Sequence, residues 1–188
     1  MRQNLKTAVL MTIATTVVLG VIYPLVVTGI AQLLFPANAN GQLIFQNGGA
    51  IGSRIIGQPF TSDAYFHSRP SAAGTGYDAA SSGGSNLSPT NSKLIQQVAA
   101  RVSTEQVGNR SVPIDLVTGS ASGLDPDITV AAAEYQVPRI GRARGLHEGI
   151  LRALIRKHTE GRQFGFLGEP RINVLELNLK LDQLARSQ

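Results

Sequence analysis

Residues 8–34, AVLMTIATTVVLGVIYPLVVTGIAQLL, decide the architecture, because these 27 positions hold no Asp, Glu, Lys or Arg. Wound as a helix at 1.5 Å per residue they reach about 40 Å, more than the ~30 Å hydrocarbon core of a bilayer. A cleaved signal peptide is the competing reading, since the N-terminus is basic and Ala37-Asn38-Ala39 has a small-x-small form. The apolar region of a signal peptide normally runs only about 7–15 residues, so the length favours a retained transmembrane helix. Arg2 and Lys6 precede the helix, whereas residues 35–53 carry no Lys or Arg. The positive-inside bias then predicts a cytoplasmic N-terminus at 1–7, a transmembrane helix at 8–34 and an extracytoplasmic domain at 35–188.

Within the helix Ala8, Thr12, Thr16, Gly20, Pro24 and Thr28 recur at every fourth position. Rows of small residues let a second membrane helix approach closely, although small residues and Pro are also common in membrane helices generally. The row drifts by about 40° per step, so only part of it can meet one partner. Pro24 deprives the Gly20 carbonyl of its backbone bond and is expected to kink the helix.

Outside the helix, the 188-residue chain has room for one ordinary domain, and its 43% hydrophobic content is that of a globular protein. Its net charge of +5 falls to +3 once Arg2 and Lys6 are set aside, too balanced for a nucleic-acid binder. The absence of cysteine excludes disulfides, thiol catalysis and Cys-ligated zinc. Strands are expected at Leu43-Ile44-Phe45 and around Arg54-Ile55-Ile56, between Asn/Gly turns. Residues 61–90 are rich in Ser, Gly, Ala, Asn and Pro and show no period; Tyr65, Phe66 and Tyr77 favour an ordered loop. A helix is expected over 91–107, with Leu94, Ile95, Val98, Ala99 and Val102 on one face. A strand over 112–118 and a turn at 119–123 follow, then a short helix at 129–136 stopped by Pro138. Helices at 147–159, with Ile150, Leu151, Leu154 and Ile155 inward and Gly161 ending it, and at 173–185 complete the list. Strands early and helices late make the fold class α+β: one N-terminal transmembrane helix followed by a single mixed domain.

Chemistry is sparse. Gly119-Ser120-Ala121-Ser122-Gly123 has Ala where a nucleophile elbow needs its serine. His67 beside Ser68 is no triad, which is spatial, and reads as a hydrogen-bonded structural histidine. His147 and His158 are too far apart along one helix to share a zinc ion. No catalytic residue and no metal ligand is assigned. Asp125-Pro126-Asp127 forms a turn whose carboxylates suit free backbone amides, without calcium-loop spacing. Ser82-Gly83-Gly84-Ser85 lacks the Lys-Ser/Thr pair of a phosphate loop. Between 139 and 162 a basic run (Arg139, Arg142, Arg144, Arg152, Arg156, Lys157, Arg162) is offset by Glu148 and Glu160. Arg152 and Arg156 share a helix face that suits a carboxylate or lipid phosphate, or is simply solvated.

Several motifs recur in one order: Tyr23-Pro24, then YFHSRPSA at 65–72, SGGSNL at 82–87 and VTGSASGLDPDIT at 117–129. YQVPR at 135–139 and NVLELN at 173–178 follow. Behind a single N-terminal membrane helix this order is specific, and over nearly its whole length the chain resembles the C subunits of bacterial Kdp potassium-transporting ATPases. Gly141 departs mildly from the pattern, standing where a small helix former such as Ala is expected.

The resemblance implies an accessory, non-catalytic subunit of an ATP-driven potassium importer in the bacterial inner membrane. Its expected partners are a channel-like A subunit, a P-type ATPase B subunit, a small F subunit and membrane lipid. It implies no cofactor of the chain's own; ATP enters through the ATPase subunit, whose affinity the family's C subunit is described as raising. That description assigns a nucleotide contact to the glutamine before Val-Pro-Arg, Gln136 here. The predicted topology puts Gln136 outside and ATP inside, and a glutamine beside Pro138 also suits local backbone groups. Partner contacts are expected from Thr12, Thr16, Gly20 and Pro24 in the membrane, and from Tyr65, Phe66, Asp125 and Asp127 toward the A subunit. The rival readings are a membrane-anchored envelope hydrolase using His67 and a lipid- or wall-binding domain using Arg152 and Arg156.

Overall fold

The computed structural model describes residues 2–186 and divides into two compact units, Met1–Ile51 and Gly52–Gln188. In the first unit an apolar helical rod runs from Arg2 to Leu34. It comprises helix α1 (Arg2–Val17), a π-helical turn (Val18–Ile22) and α2 (Tyr23–Leu34). The π-turn is the local answer to Pro24. With no N–H at Pro24 the ladder widens in the turn before it, and the Tyr23 N–H reaches back to the Val18 carbonyl. Thr12, Thr16, Gly20 and Pro24 are all exposed on this rod. A short helix, α3 (Pro36–Ala39), is followed by strands β1 (Leu43–Gln46) and β2 (Gly49–Ser53). Their two-residue turn, Asn47-Gly48, takes positive φ at both positions (52° and 81°), as a twisted hairpin requires. The second strand thus lies earlier than expected; residues 54–56 form a turn instead.

The second unit is built on five helices and a two-stranded sheet. Helices α4 (Ser92–Glu105) and α5 (Ile114–Val117) precede strand β3 (Asp127–Thr129). Helix α6 (Val130–Arg144), α7 (Glu148–His158), strand β4 (Arg171–Asn173) and α8 (Val174–Arg186) complete it. β3 pairs antiparallel with β4, Ile128 opposite Ile172, so each three-residue strand leads directly into a helix. Ile128, Ile140, Leu151, Ile155, Leu177 and Leu181 fill the space between them, all within 2% of full burial. The fold is mixed α+β with one N-terminal apolar helix, but its strands are not confined to the beginning: β3 and β4 join late segments.

Four helix starts in this unit carry side-chain caps. Asn91 accepts the Lys93 N–H ahead of α4, and Thr129 accepts the Ala132 N–H ahead of α6. His147 Nδ1 accepts the Gly149 N–H, and Asn173 accepts the Glu176 N–H, with Glu176 completing the Asn-x-x-Glu spacing.

Several expectations are corrected by packing. Pro138 does not stop α6, which runs on to Gly145 in the left-handed region (φ 67°). The bond forfeited at the Glu134 carbonyl is outweighed because Ile140 and Gly141, beyond Pro138, face the core. Residues 112–118 are not a strand: Pro113 caps the four-residue α5, and the Asp115 carboxylate accepts the Thr129 N–H at 2.8 Å. On α7 Leu151, Leu154 and Ile155 are buried while Ile150 is exposed, and the helix ends at Thr159, before Gly161. Helix α4 likewise lies on the surface, with Leu94, Val98 and Val102 half-buried and Ile95 and Ala99 exposed.

Candidate functional site

The irregular stretch 61–90 is held in place by polar groups on α6 and α8. Asn178, 1% exposed in the apolar row of α8, clamps Phe66: its Oδ1 accepts the Phe66 N–H and its Nδ2 donates to the Phe66 carbonyl, both at 2.9 Å. Gln136, also 1% exposed, does the same for the next residue. Its Oε1 accepts the His67 N–H (2.7 Å) and its Nε2 donates to the His67 carbonyl (3.3 Å). Two consecutive peptide groups of the loop therefore receive side-chain partners that mimic a strand, in a place where no strand runs.

Arg139 and Arg144 extend this anchorage. Arg139 donates to Gln136 Oε1 (2.6 Å), to the Asp63 carbonyl (2.7 Å) and to the Tyr65 carbonyl (3.0 Å). Arg144 bonds the Ala64 carbonyl, pairs with Asp182 (2.7 Å) and stacks over the Tyr65 ring at 4.5 Å, while the Tyr65 hydroxyl also donates to Asp182. Two of the remaining five basic residues are paired as well. Arg152 lies between Glu134 (3.1 Å) and Glu148 (2.8 Å), and Arg162 pairs with Glu169. Arg152 is thus taken within the fold, which removes the paired Arg152/Arg156 face as a headgroup site.

Three sequence motifs meet on the far side of the loop. Ser71 Oγ donates to the Gly123 carbonyl and accepts the Tyr77 N–H (2.7 Å); Gly83 N–H and Ser82 Oγ both donate to the Ser122 carbonyl at 2.9 Å. Gly123 sits at φ 66°, and a Cβ there would fall 2.6 Å from the Gly83 carbonyl oxygen. The glycine is required by that crossing. Ser82–Ser85 is therefore a structural seam rather than a phosphate cradle. Asp125 joins the same region, accepting the Asp127 N–H and pairing with Arg69 at 3.1 Å. Asp127 pairs with Arg171 (3.1 Å) and accepts from Asn173 Nδ2; burial pushes its carboxyl above the usual carboxylate range, against the pull of Arg171.

His67 lines an open cleft of about 420 Å³ with Phe60, Ser68, Tyr77, Arg101 and Glu105. Its Nε2 faces the Ser62 carbonyl at 3.1 Å, so that nitrogen carries the proton. Burial, and after it the Arg139 charge, lower its pKa and keep the ring neutral. The neighbouring Ser68 hydroxyl is not bonded to the ring, so His67 does not activate it. Among the described residues no three His, Asp or Glu side chains converge as a metal site.

Of the expected partner contacts, Phe66 is withdrawn: its ring is fully buried in the core and offers no surface. Tyr65 is half-buried and committed to Arg144 and Asp182. Gln136 has both amide atoms bonded inside the fold, so a nucleotide contact through this side chain does not fit the structure. Asn178, Arg139 and Arg144 were not singled out as anchors of the loop. The signal for Asn178 was a lone amide among Val174, Leu177 and Leu181.

The arrangement is that of a binding or assembly domain behind an apolar helix long enough to cross a membrane, its polar groups spent on fixing loops rather than on bond-making. Comparison with known proteins narrows the class. A family profile described as "KdpC: K+-transporting ATPase, c chain" matches residues 5–183. A "Potassium-transporting ATPase KdpC subunit" of Acidobacterium capsulatum is 64% identical over 181 residues, covering 96% of this chain and 98% of the relative. Its namesake in Koribacter versatilis is 62% identical over 184 residues (97% and 95%). That of Mycobacterium tuberculosis (strain ATCC 25177 / H37Ra) is 51% identical over 189 residues (98% and 100%). The chain belongs to the KdpC family, the c chains of potassium-transporting ATPases, whose role is accessory rather than catalytic.

Proposed function

We propose that the chain assembles with a channel-like A subunit, a P-type ATPase B subunit and a small F subunit into a high-affinity, ATP-driven potassium importer. In this reading the N-terminus at 1–7 is cytoplasmic, residues 8–34 span the inner membrane and the domain at 35–188 is extracytoplasmic. The chain acts as a brace on the other subunits and raises the ATP affinity of the B subunit through assembly, without touching nucleotide. The observation that carries this reading is the burial of Gln136, whose amide is exhausted by His67, Arg139 and Ala132. The exposed row Thr12, Thr16, Gly20 and Pro24 supports helix packing against a partner in the membrane. The 61–90 loop, with Tyr65 at its edge and Asp125 and Asp127 beside it, faces the outer surface of the A subunit.

Topology is the test. The chain has no cysteine, so Gln3→Cys and Ser85→Cys each supply one thiol for a membrane-impermeant reagent in intact cells. Labelling of Ser85→Cys alone is expected. Labelling of Gln3→Cys alone would place the domain in the cytoplasm and overturn action at a distance.

A further inference from the structure

Between α7 and β4 the chain throws out a tight loop, Arg162-Gln163-Phe164-Gly165-Phe166-Leu167-Gly168-Glu169, that carries apolar side chains into solvent. Phe164 is 87% exposed, Phe166 70% and Leu167 47%, in a domain whose other phenylalanines are wholly buried (Phe66) or partly buried against the core (Phe60). The loop is rigid by construction. Gln163 and Leu167 exchange both backbone bonds at 2.9 Å, and the Gly165 and Phe166 N–H groups bond to the Arg162 and Gln163 carbonyls. Arg162 closes the neck on both carboxylate oxygens of Glu169 (3.0 and 2.8 Å). Phe164 itself holds a positive φ of 53°, a conformation non-glycine residues adopt at a cost.

Two properties select a lipid surface over a protein pocket as the occupant. The loop's apolar side chains are exposed to solvent and its backbone amides are largely satisfied inside it, so entering an apolar medium strands few polar groups. Uncompensated cations also lie close to it along the chain. Arg156 and Lys157 end α7 a few residues before the loop and make no ion pair among the described residues; the Lys157 and Lys180 charges both reach His158. Exposed aromatics beside lysines complement an anionic bilayer interface. The 17 residues between Leu34 and Gly52 span at most about 60 Å, which keeps the domain at high effective concentration near a bilayer that holds the helix.

We infer that the Phe164–Leu167 loop dips into the interfacial region of an anionic bilayer, with Lys157 and Lys180 on lipid phosphates, as a second membrane contact of this chain. It stands independently of the potassium-import reading.

Because the chain has no tryptophan, a single one reports on its own surroundings. The full chain carrying Phe166→Trp, and separately Phe164→Trp, is reconstituted in phosphatidylglycerol-rich vesicles with brominated acyl chains, and in phosphatidylcholine vesicles likewise brominated. Ile114→Trp, at an exposed apolar position elsewhere in the domain, is the reference. The loop tryptophans are expected to emit blue-shifted light and lose intensity to bromine, more in anionic than in neutral vesicles, while the reference stays unquenched. Lys157→Gln with Lys180→Gln is expected to erase the difference between the two lipids. Solvent-like, unquenched emission at both loop positions would overturn the inference. So would a blue shift that arises only on assembly with partner subunits and is insensitive to bromine, which would make the loop's occupant a protein.

Discussion

Replacing Gln136 by Leu keeps most of the side-chain volume and removes an amide that makes four hydrogen bonds. Two of the losses are small: Ala132 keeps its helical bond, and Arg139 keeps the Asp63 and Tyr65 carbonyls. The other two leave the His67 N–H and carbonyl unpaired beneath the loop. At about 1–3 kcal/mol for each stranded buried group the cost is roughly 4 kcal/mol, a large share of the 5–15 kcal/mol typical of a whole domain. For a unit the size of Gly52–Gln188 that lowers the melting temperature by on the order of 10 °C. Should the loop detach to let water in, residues 61–90 become the first site of limited proteolysis. Thermal unfolding of the full chain in detergent, with and without protease, measures both. Gln136→Glu, which keeps the acceptor for His67 and Arg139 but loses the donor, is expected to recover about half of the loss. The apparent KM for ATP of the assembled complex, taken below either melting point, is expected to stay unchanged. A Gln136→Leu chain that melts and resists protease like the parent, yet raises the KM for ATP, would refute the reasoning and return Gln136 to a nucleotide.

Asn178→Leu strands the Phe66 N–H and carbonyl in the same way and is expected to cost about 2–5 kcal/mol; combined with Gln136→Leu the sum falls short of additive, since one loop is released twice, as denaturant titration will show. Gly123→Ala forces a Cβ to 2.6–2.7 Å from the Gly83 oxygen and Ala73 nitrogen at φ 66°, and is expected to lose at least ~2 kcal/mol in the same titration. Acid sensitivity has a fixed sign. Burial depresses the His67 and His158 pKa values, so between each folded value and the ordinary ~6.5 the unfolded chain binds more protons. The contribution is whole above that range and fades as pH falls through it. Unfolding midpoints measured downward from pH 7 should therefore drop more steeply in the parent than in a His67→Gln, His158→Gln chain.

What the sequence makes legible is governed by distance along the chain. The apolar run to Leu34 and the amphipathic faces of α7 and α8 carry their information within one or two turns, and all were readable apart from Ile150, which faces out. The helix starts at 91 and 129 were placed as well, and there Asn91 and Thr129 cap neighbours two and three positions away. Three-residue strands such as β3 and β4 are too short to show a period, and their pairing joins positions 127 and 173. Pro138 defeats a local reading for a related reason: its cost is plain in the sequence, but the gain that overrides it lies in the core contacts of Ile140 and Gly141. The loop is the extreme case. His67 meets Gln136 across 69 positions and Phe66 meets Asn178 across 112, so no window of the chain contains either bond. A motif such as YFHSRPSA or NVLELN is weak alone because half of its meaning sits in another motif. Read as pairs, they explain why a stretch with neither helix nor strand is ordered: its peptide groups bond to the amides of Gln136 and Asn178 where other segments would use a neighbouring strand. The residues that look most like chemistry, His67 and Gln136, are bound to each other through the backbone, and that mutual commitment makes them parts of a scaffold.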